Sequence, residues 1–331
     1  MSGSGFCARV ARAGAWAAVF AAVCVAGSPA QAQDKFPSRP VRILAGFPPG
    51  GGTDVTARII GIKLSELLGQ QIVVENHPGA SGTIAAELVA KAPADGYTML
   101  MGLPNSNAVA GYVYPKLGYD PAKDFAAVAM VNKVSLVLTL YPGVKATDVK
   151  SFVALSKQSQ LRYASSGNGS VQHLSTEQFK AATGADLLHI PYKGSGQAVV
   201  DLMAGQVDVN FDTMPTVLTY IKAGRLRAIA VGAPQRTVQL PEVPTVSESG
   251  VPGFEATNWY GLYAPAKTPK EIIARLNREV NASLKAPEMR EKIINSGGNP
   301  QGGTAEEFQE FTRAETVKWG RIIKEAKIKF D

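Results

Sequence analysis

Cysteine, histidine and long apolar runs are scarce in this sequence, and each scarcity excludes a class of protein. Both cysteines, Cys7 and Cys24, lie within the first 32 residues, so the remaining chain has neither disulfides nor thiolate ligands for a metal. The three histidines are scattered without metal-ligand spacing. No apolar segment after residue 32 reaches the roughly 20 residues that a membrane span needs. We therefore expect no metal and no cofactor, and stability that comes from a hydrophobic core.

Residues 1–32 have the pattern of an export signal. Arg9 and Arg12 precede an apolar stretch from Ala13 to Ala26, and Ala30-Gln31-Ala32 offers small residues for cleavage. The alternative is a membrane anchor, but the apolar stretch is shorter than the roughly 20 residues of a membrane span. We predict cleavage after Ala32 and export of the mature chain.

The charge balance is mildly basic. The formal charge of +7 falls to +5 when Arg9 and Arg12 are removed with the signal, because that segment contains no acidic residue. No run of basic residues is interleaved with aromatic ones, so the sequence excludes a nucleic-acid partner. A mild basic excess suits a small anionic ligand.

Strand-like and helix-like segments alternate along most of the chain, which predicts an α/β fold. Two amphipathic helices are predicted at 53–68 and 171–183. The segments 127–141 and 256–265 are long and extended, as expected for two strands that cross between two lobes. We predict that lobe 1 contains 33–133 and 257–331, and that lobe 2 contains 134–256. The other predicted strands are 41–47, 72–75, 97–102, 161–164, 187–192, 207–211 and 226–232.

The C-terminal part has the pattern of helices with marked starts. Thr268-Pro269-Lys270-Glu271 predicts a capping box with proline at the first helical position. Thr304 and Glu307 predict a second capping box, which opens a last helix at 305–327.

Three glycine loops join a predicted strand to a predicted helix, at Gly46 to Asp54, Tyr163 to Ser170 and Pro191 to Gln197. Small residues there leave backbone N–H groups uncovered at a helix N-terminus, where the helix dipole favours an anion. The first two loops fall in different predicted lobes, so they could hold the two ends of a dicarboxylate across a cleft. For any one loop alone, the alternative is a tight turn with an N-cap.

Signatures of catalysis are missing. The first loop lacks the spacing of a phosphate-binding or dinucleotide-binding loop, and no nucleophile elbow is present. His173 is interpreted as a donor to the second loop or as a packed neutral histidine. Asp54 is interpreted as a first-turn acid or a residue that shapes the groove. Asp212 either faces the cleft, where it would favour a ligand amine or hydroxyl, or serves a turn. We predict that the protein is not an enzyme.

Several motifs follow one another in a characteristic order. They include Phe47-Pro48-Pro49-Gly50-Gly51-Gly52-Thr53-Asp54, Val74-Glu75-Asn76-His77-Pro78-Gly79-Ala80-Ser81-Gly82 and Gly167-Asn168-Gly169-Ser170. With these motifs the chain resembles the Bug-type, TctC-like periplasmic receptors of tripartite tricarboxylate transporters over essentially its whole mature length. The resemblance implies a two-lobe, type II Venus-flytrap fold with two crossover segments. It also implies a small carboxylate ligand and delivery to membrane transporter subunits. We expect a monomer.

The resemblance also implies where a ligand would bind. The loop from Phe47 to Asp54 would hold a carboxylate, and the loop from Pro104 to Asn107 would reach the cleft. The second lobe would contribute Ser165 to Ser170 and residues near Asp212. The candidate ligand-binding residues are Phe47, Gly50, Gly51, Gly52, Thr53, Asp54, Asn105, Ser106, Ser165, Ser166, Asn168, Gly169, Ser170, His173 and Asp212.

The sequence leaves alternatives open for the class of ligand and for the partner. Di- and tricarboxylates, acidic amino acids and aromatic acids all fit a backbone anion site. A ligand sensor that signals to a membrane kinase would have the same fold and pocket. A secreted hydrolase that uses the glycine loops as an oxyanion site is the third hypothesis, and the missing nucleophile–base pair argues against it.

Overall fold

A computed structural model of the protein describes residues 36–328 and 330. The predicted export signal at 1–32 lies outside the described residues, so its cleavage stays a prediction. The strands are β1 (Val41–Ala45), β2 (Ile72–Asn76), β3 (Thr98–Gly102), β4 (Phe125–Leu140), β5 (Leu161–Ser165), β6 (Leu187–Pro191), β7 (Val209–Thr213), β8 (Arg227–Val231), β9 (Thr257–Pro265) and β10 (Gly298–Gly302).

Helices separate most of these strands. They are α1 (Gly52–Leu68), α2 (Thr83–Ala90), α3 (Ala110–Val113), α4 (Val149–Gln158), α5 (Val171–Thr183), α6 (Ser195–Met203), α7 (Met214–Lys222), α8 (Lys270–Lys285), α9 (Pro287–Asn295) and α10 (Ala305–Glu325). A short 3-10 turn at Ala80–Gly82 precedes α2, and a π-helical turn at Asn105–Val109 precedes α3. The predicted α/β class is confirmed. Within the described residues, none of the helices has the length and apolar character needed to cross a membrane.

The strands form two parallel groups that are joined by two long antiparallel strands. β2, β1 and β3 pair in parallel, and β3 pairs with β9 in the antiparallel direction. β6, β5 and β7 form the second parallel group, and β7 pairs with β4. β4 and β9 lie side by side in the middle of the molecule. The parallel groups are therefore the centres of two lobes.

The strand β4 belongs to both lobes. Its residues 125–135 pair with β9, whereas its residues 136–140 pair with β7 and β8. The strand β10, which the sequence analysis missed, pairs with the first part of β4. The predicted lobe limits at 133/134 and 256/257 lie beside this change of partner, and remain a prediction about which parts of the chain move together.

The core of the first lobe is closed by the C-terminal helix. Trp259 and Tyr263 on β9 are buried, and the ring of Phe308 on α10 lies 5.5 Å and 4.8 Å from their ring centres. Buried Trp259 also donates its indole N–H to Glu315, 3.2 Å away on the same helix. The chain therefore returns to the first lobe after its excursion through the second.

Two local predictions about helix starts had different outcomes. The capping box of Thr304 and Glu307 is confirmed, with hydrogen bonds of 3.1 Å and 2.8 Å, although α10 ends at Glu325 and not at 327. The capping box predicted at Thr268 is wrong. Pro269 has the extended ψ of 139° and is itself the N-cap of α8, so Thr268 lies one residue too early to reach the helix N–H groups.

Strand β7 begins two residues later than predicted. The predicted strand at 207–211 included Asp208, but its carboxylate accepts hydrogen bonds from the backbone and the guanidinium of Arg162 at 2.8 to 3.0 Å. Asp208 lies just before the strand, which runs from Val209 to Thr213. Asp212 is consequently inside the strand, and not just past its end.

Candidate functional site

The first glycine loop ends in a helix N-terminus without a side-chain cap. Gly51 is the N-cap residue of α1, with φ of −81° and ψ of 165°. The first helical hydrogen bond runs from Val55 to the Gly51 carbonyl, so the N–H groups of Gly52 and Thr53 have no partner within the helix. Such a terminus attracts an anion through its free N–H groups and its dipole.

Asp54 holds the first glycine loop in place through hydrogen bonds on the side away from the cleft. Its carboxylate accepts hydrogen bonds from the Gly50 N–H at 3.1 Å, from Arg58 at 2.9 Å and from the Asn76 amide at 3.0 Å. Burial raises the pKa of Asp54, but the hydrogen bonds from Arg58, Gly50 and Asn76 outweigh burial and lower the pKa overall. Asp54 is therefore an ionised first-turn acid that shapes the loop, in agreement with its interpretation from the sequence.

A small cavity of about 20 Å³ lies between the two lobes at this helix N-terminus. We call it the cleft cavity. None of the described residues that line it carries a charged side chain. The lining residues are Phe47, Pro48, Gly51, Gly52, Thr53, Leu103, Asn105, Ser166, Gln172, Ser195, Thr213, Asn258 and Tyr260.

The first lobe presents hydrogen-bond donors to the cleft cavity. The backbone N–H of Val171 donates to Asn105 Oδ1 at 3.2 Å, which fixes the orientation of the Asn105 amide. Asn105 is 2% exposed, and its Nδ2 group has no hydrogen-bond partner among the described residues. A buried donor without an acceptor costs about 1–3 kcal/mol. This donor, together with the N-terminus of α1, indicates that an acceptor group belongs in the cavity.

The side of the cleft cavity that the second lobe forms is a network of side chains that hydrogen bond to Asp212. We call this side the second wall. Asp212 is fully buried, and its Oδ1 atom accepts hydrogen bonds from the Thr213 N–H at 2.7 Å, Ser195 Oγ at 2.9 Å and Gln172 Nε2 at 3.0 Å. Its Oδ2 atom accepts from Asn210 Nδ2 at 3.0 Å. Burial raises the pKa of Asp212, and these hydrogen bonds oppose that increase.

The crossover strand β9 supplies the floor of the cavity. Tyr260 is buried, and a Cβ atom added to Gly52 would collide with its hydroxyl group and lie 3.1 Å from Thr213 Oγ1. Burial raises the pKa of the Tyr260 phenol, which hydrogen bonds to Thr213, Asn258 and Thr53. Only glycine at position 52 therefore lets α1 approach the crossover strand and the second lobe this closely.

A sequence model described as "Tripartite tricarboxylate transporter family receptor" matches residues 56–328. The chain belongs to this receptor family. Its members are solute-binding receptors, and the order of motifs that resembled the Bug-type, TctC-like receptors is thereby explained.

Three solved structures in particular are similar to this receptor. Rpa4515 of R. palustris, solved with adipate, is 39% identical with a TM-score of 0.87, over 88% of this chain and 99% of that one. The periplasmic binding protein BugD is 31% identical with a TM-score of 0.86, over 89% and 100%. MatC of Rhodopseudomonas palustris, solved with bound malate, is 32% identical with a TM-score of 0.83, over 87% and 100%. The two-lobe fold of periplasmic binding proteins is therefore confirmed.

The structure brings part of the predicted ligand-binding set to the cleft cavity. These residues come from the first glycine loop, from the π-helical turn and from the second glycine loop. The predicted residues that line the cavity are Phe47, Gly51, Gly52, Thr53, Asn105 and Ser166. Their contact with a ligand stays a prediction.

The other predicted residues lie behind the cavity wall or beside it. Gly50 and Asp54 bond to each other, and Asp212 anchors the second wall. Ser106 donates to Asn107 Oδ1 at 2.7 Å, inside a π-helical turn that the sequence analysis interpreted as a loop. The remaining four, Ser165, Gly169, Ser170 and His173, take part in hydrogen bonds within the second lobe.

Asn168 has a different position, at the contact between the lobes. Its carbonyl accepts a hydrogen bond from Ser81 Oγ at 2.8 Å, and Ser81 belongs to the turn before α2. Ser81 has a positive φ of 53°, an unusual conformation for a residue other than glycine. The second glycine loop thus faces the cleft cavity with Ser166 and the first lobe with Asn168.

Sequence reasoning missed several residues of the cavity. Ser195 stands in the third glycine loop, so a signal was available for it, and Gln172 stands in the first turn of α5. Asn258 and Tyr260 belong to a crossover strand that was predicted from its length but not assigned to the site. The missed lining residues are Pro48, Leu103, Gln172, Ser195, Thr213, Asn258 and Tyr260.

Two stacked histidines lie under the second glycine loop. The rings of His173 and His189 are 4.2 Å apart and nearly parallel. The Gly169 N–H donates to His173 Nδ1 at 3.1 Å, so His173 is an acceptor for the loop and not a donor. Ser165 Oγ lies 2.6 Å from His189 Nε2, but neither residue lines the cleft cavity. This pair therefore does not supply a nucleophile and base to a ligand in the cavity.

The histidine pair predicts a stability that falls on mild acidification. Burial lowers the pKa of His173 to about 4 and that of His189 to about 3, from an ordinary 6.5. Below pH 6.5 the unfolded chain therefore binds protons that the folded chain does not, and the free energy of unfolding decreases by up to about 1.4 kcal/mol per pH unit for each histidine. Urea titrations between pH 6.5 and 5 would measure this slope.

The variant His173→Gln tests the source of that slope. Glutamine keeps a hydrogen-bond acceptor but has no proton to gain in this range. We expect a smaller loss of stability between pH 6.5 and 5 than in the wild type. An unchanged slope would assign the pH dependence to other groups.

Proposed function

We propose that the protein is a periplasmic solute receptor that binds a small carboxylate in the cleft cavity for uptake by a tripartite tricarboxylate transporter. The observation that carries this proposal is the group of unpaired hydrogen-bond donors that the first lobe presents to the cavity. The amide of Asn105 and the N-terminus of α1 point buried N–H groups at one small space and have no acceptor for them among the described residues. A carboxylate is an anion with two acceptor oxygens, and it matches both features.

The energetics of such a site are sufficient without a cationic side chain. A helix N-terminus stabilises an anion by about 0.3–1 kcal/mol, and each hydrogen bond to a charged oxygen contributes about 1.5–3 kcal/mol. Three or four of these bonds support a dissociation constant in the micromolar range, about −8 kcal/mol, after the cost of ordering the ligand.

The size of the cavity favours a receptor that opens and closes. A space of about 20 Å³ holds roughly one water molecule, which is less than any carboxylic acid of several carbons requires. A ligand therefore enters only when the lobes separate, and it shifts the population between open and closed forms through its contacts with both. Bending between the lobes would occur where β4 and β9 cross.

The class of ligand is supported by relatives. Rpa4515 is solved with adipate and MatC with malate, and both acids carry two carboxylates. The export pattern of residues 1–32 supports a periplasmic location, and the family supports membrane transporter subunits as the partner. We propose that the chain acts as a monomer, and that the ligand is released chemically unchanged.

A thermal-shift screen followed by calorimetric titration tests this function. The mature chain from Gln33 onwards would be refolded to remove any bound acid and mixed with mono-, di- and tricarboxylates, acidic amino acids and aromatic acids. A ligand at 100 times its dissociation constant adds about 2.7 kcal/mol of stability, which is a shift of several degrees. The methyl esters of the same acids are matched controls and should give no shift. Equal shifts with acid and ester, or none with any acid, would contradict the proposal.

A further inference from the structure

The direction of the hydrogen bonds in the second lobe is fixed by Asp212. A backbone N–H can only donate, so the Thr213 N–H at 2.7 Å makes Asp212 Oδ1 an acceptor. Ser195 Oγ lies 2.9 Å from the same oxygen and donates its proton to it. The single proton of the Ser195 hydroxyl is therefore directed away from the cleft cavity.

The amide of Gln172 links Asp212 to a second hydroxyl group, that of Ser166, and so fixes the direction of its hydrogen bond as well. Its Nε2 atom lies 3.0 Å from Asp212 Oδ1 and 3.2 Å from Ser195 Oγ, and only the amide nitrogen can donate to a carboxylate oxygen. The Gln172 Oε1 atom must then face Ser166, whose hydroxyl donates to it at 2.9 Å. The proton of Ser166 is also directed away from the cavity.

Both hydroxyl groups line the cavity and both are buried, with Ser166 3% and Ser195 7% exposed. Since their protons are already engaged, they can offer the cavity only lone pairs. The first lobe therefore presents donors from α1 and Asn105, whereas the side chains of Ser166 and Ser195 in the second lobe present acceptors.

From this division we propose that the ligand carries a hydroxyl or ammonium donor close to the carboxylate that the first lobe binds. The receptor then prefers hydroxy acids and amino acids to plain carboxylic acids of the same length. This inference rests on the proposed function, because it assumes that a carboxylate occupies the cavity. It adds the second functional group that the ligand must have.

The preference follows from the cost of an unmatched acceptor. A methylene group in place of the hydroxyl or ammonium group would leave buried lone pairs without a donor, on Ser166 Oγ and on the side of Ser195 Oγ that Gln172 Nε2 does not fill. Sites built to hydrogen bond a substrate group discriminate strongly against analogues that lack the group. We expect the plain acid to bind on the order of 10-fold more weakly than its hydroxy or amino counterpart.

Matched ligand series test this preference by calorimetric titration of the mature chain. Four series would be used, each with a plain, a hydroxy and an amino acid: propionate, lactate and alanine; succinate, malate and aspartate; glutarate, 2-hydroxyglutarate and glutamate; and phenylacetate, mandelate and phenylglycine. The comparison is made within whichever series binds. A plain acid that binds as tightly as its substituted counterparts would overturn the inference and leave the proposed function intact. A chain that binds no acid would overturn both.

Two serine variants test whether Ser166 and Ser195 cause the preference for hydroxy and amino acids. In Ser195→Ala and in Ser166→Ala, the ratio of the plain-acid to the hydroxy-acid dissociation constant should fall toward 1. Ser283→Ala is the matched control, because Ser283 is equally buried but bonds within α8 to the Glu279 carbonyl at 2.9 Å. Its ratio should stay at the wild-type value. If the serine variants lower the affinity for all acids equally and leave the ratio unchanged, Ser166 and Ser195 do not recognise the hydroxyl or ammonium group of the ligand.

Discussion

The substitution Gly51→Asp is expected to abolish carboxylate binding without lowering the melting temperature. Position 51 is the N-cap of α1 with extended backbone angles, and a Cβ atom there meets nothing nearer than the Pro48 carbonyl oxygen at 3.8 Å. Aspartate is a preferred N-cap residue, whose carboxylate accepts hydrogen bonds from the first-turn N–H groups. The variant therefore folds, but its own carboxylate occupies the place of the ligand and repels an anion.

Isothermal titration of this variant should show a loss of affinity of more than about 100-fold, which corresponds to about 2.7 kcal/mol or more. Gly51→Asn is the control for charge, because asparagine has the same shape and also caps helices. Gly51→Ala is the control for volume, and we expect it to retain binding within a few-fold. If Gly51→Asp binds the acid as the wild type does, the loop is only a turn and the anion site lies elsewhere.

Among the substitutions considered, Asp212→Ala is expected to lower the free energy of unfolding the most. It would leave the buried donors of Gln172, Ser195 and Asn210 without their acceptor, and each such donor costs about 1–3 kcal/mol. Partial rearrangement limits the total, so we expect a loss of about 3–5 kcal/mol, comparable to breaking a buried charged pair. The melting temperature should fall by roughly 10 °C.

Urea unfolding of the variant and of a matched surface variant would measure this loss. Asp201→Ala is the control, because Asp201 also accepts two side-chain hydrogen bonds, from Tyr192 and Gln197, but lies on a helix near solvent. Its loss should be about 1 kcal/mol or less. Similar losses for the two variants would mean that the Asp212 network is not a major source of stability.

Local features of this receptor were predictable from the sequence, because they depend on neighbouring residues. The extended crossover at 127–141 was predicted from its length and its many valine and leucine residues, and the uncapped N-terminus of α1 from three successive glycines. The capping box at Thr304 depends on a residue only three positions away. Strand β10 was missed because Gly298–Gly302 contains no β-branched residue, and it forms only because β4 offers a partner.

The features that were missed depend on residues far apart in the chain. The orientation of the Gln172 amide is set by Asp212, which is 40 residues away. The orphan donor of Asn105 arises because Val171, 66 residues away, occupies the other end of that amide. Sequence patterns place such residues on elements, but they do not say which atom of an amide faces the cavity. The orientations of these two amides were therefore accessible only from the structure.

The shared strand β4 links the two lobes more firmly than a flexible connection would. Its first part completes the sheet of one lobe, and its last residues complete the sheet of the other. Neither lobe can lose its sheet without exposing the backbone of a strand that the other lobe also uses. A chain divided within β4 would leave each fragment with an unfinished sheet edge, which favours aggregation. The receptor is thus expected to fold and unfold as one cooperative unit, although the proposed function requires its two lobes to move relative to each other.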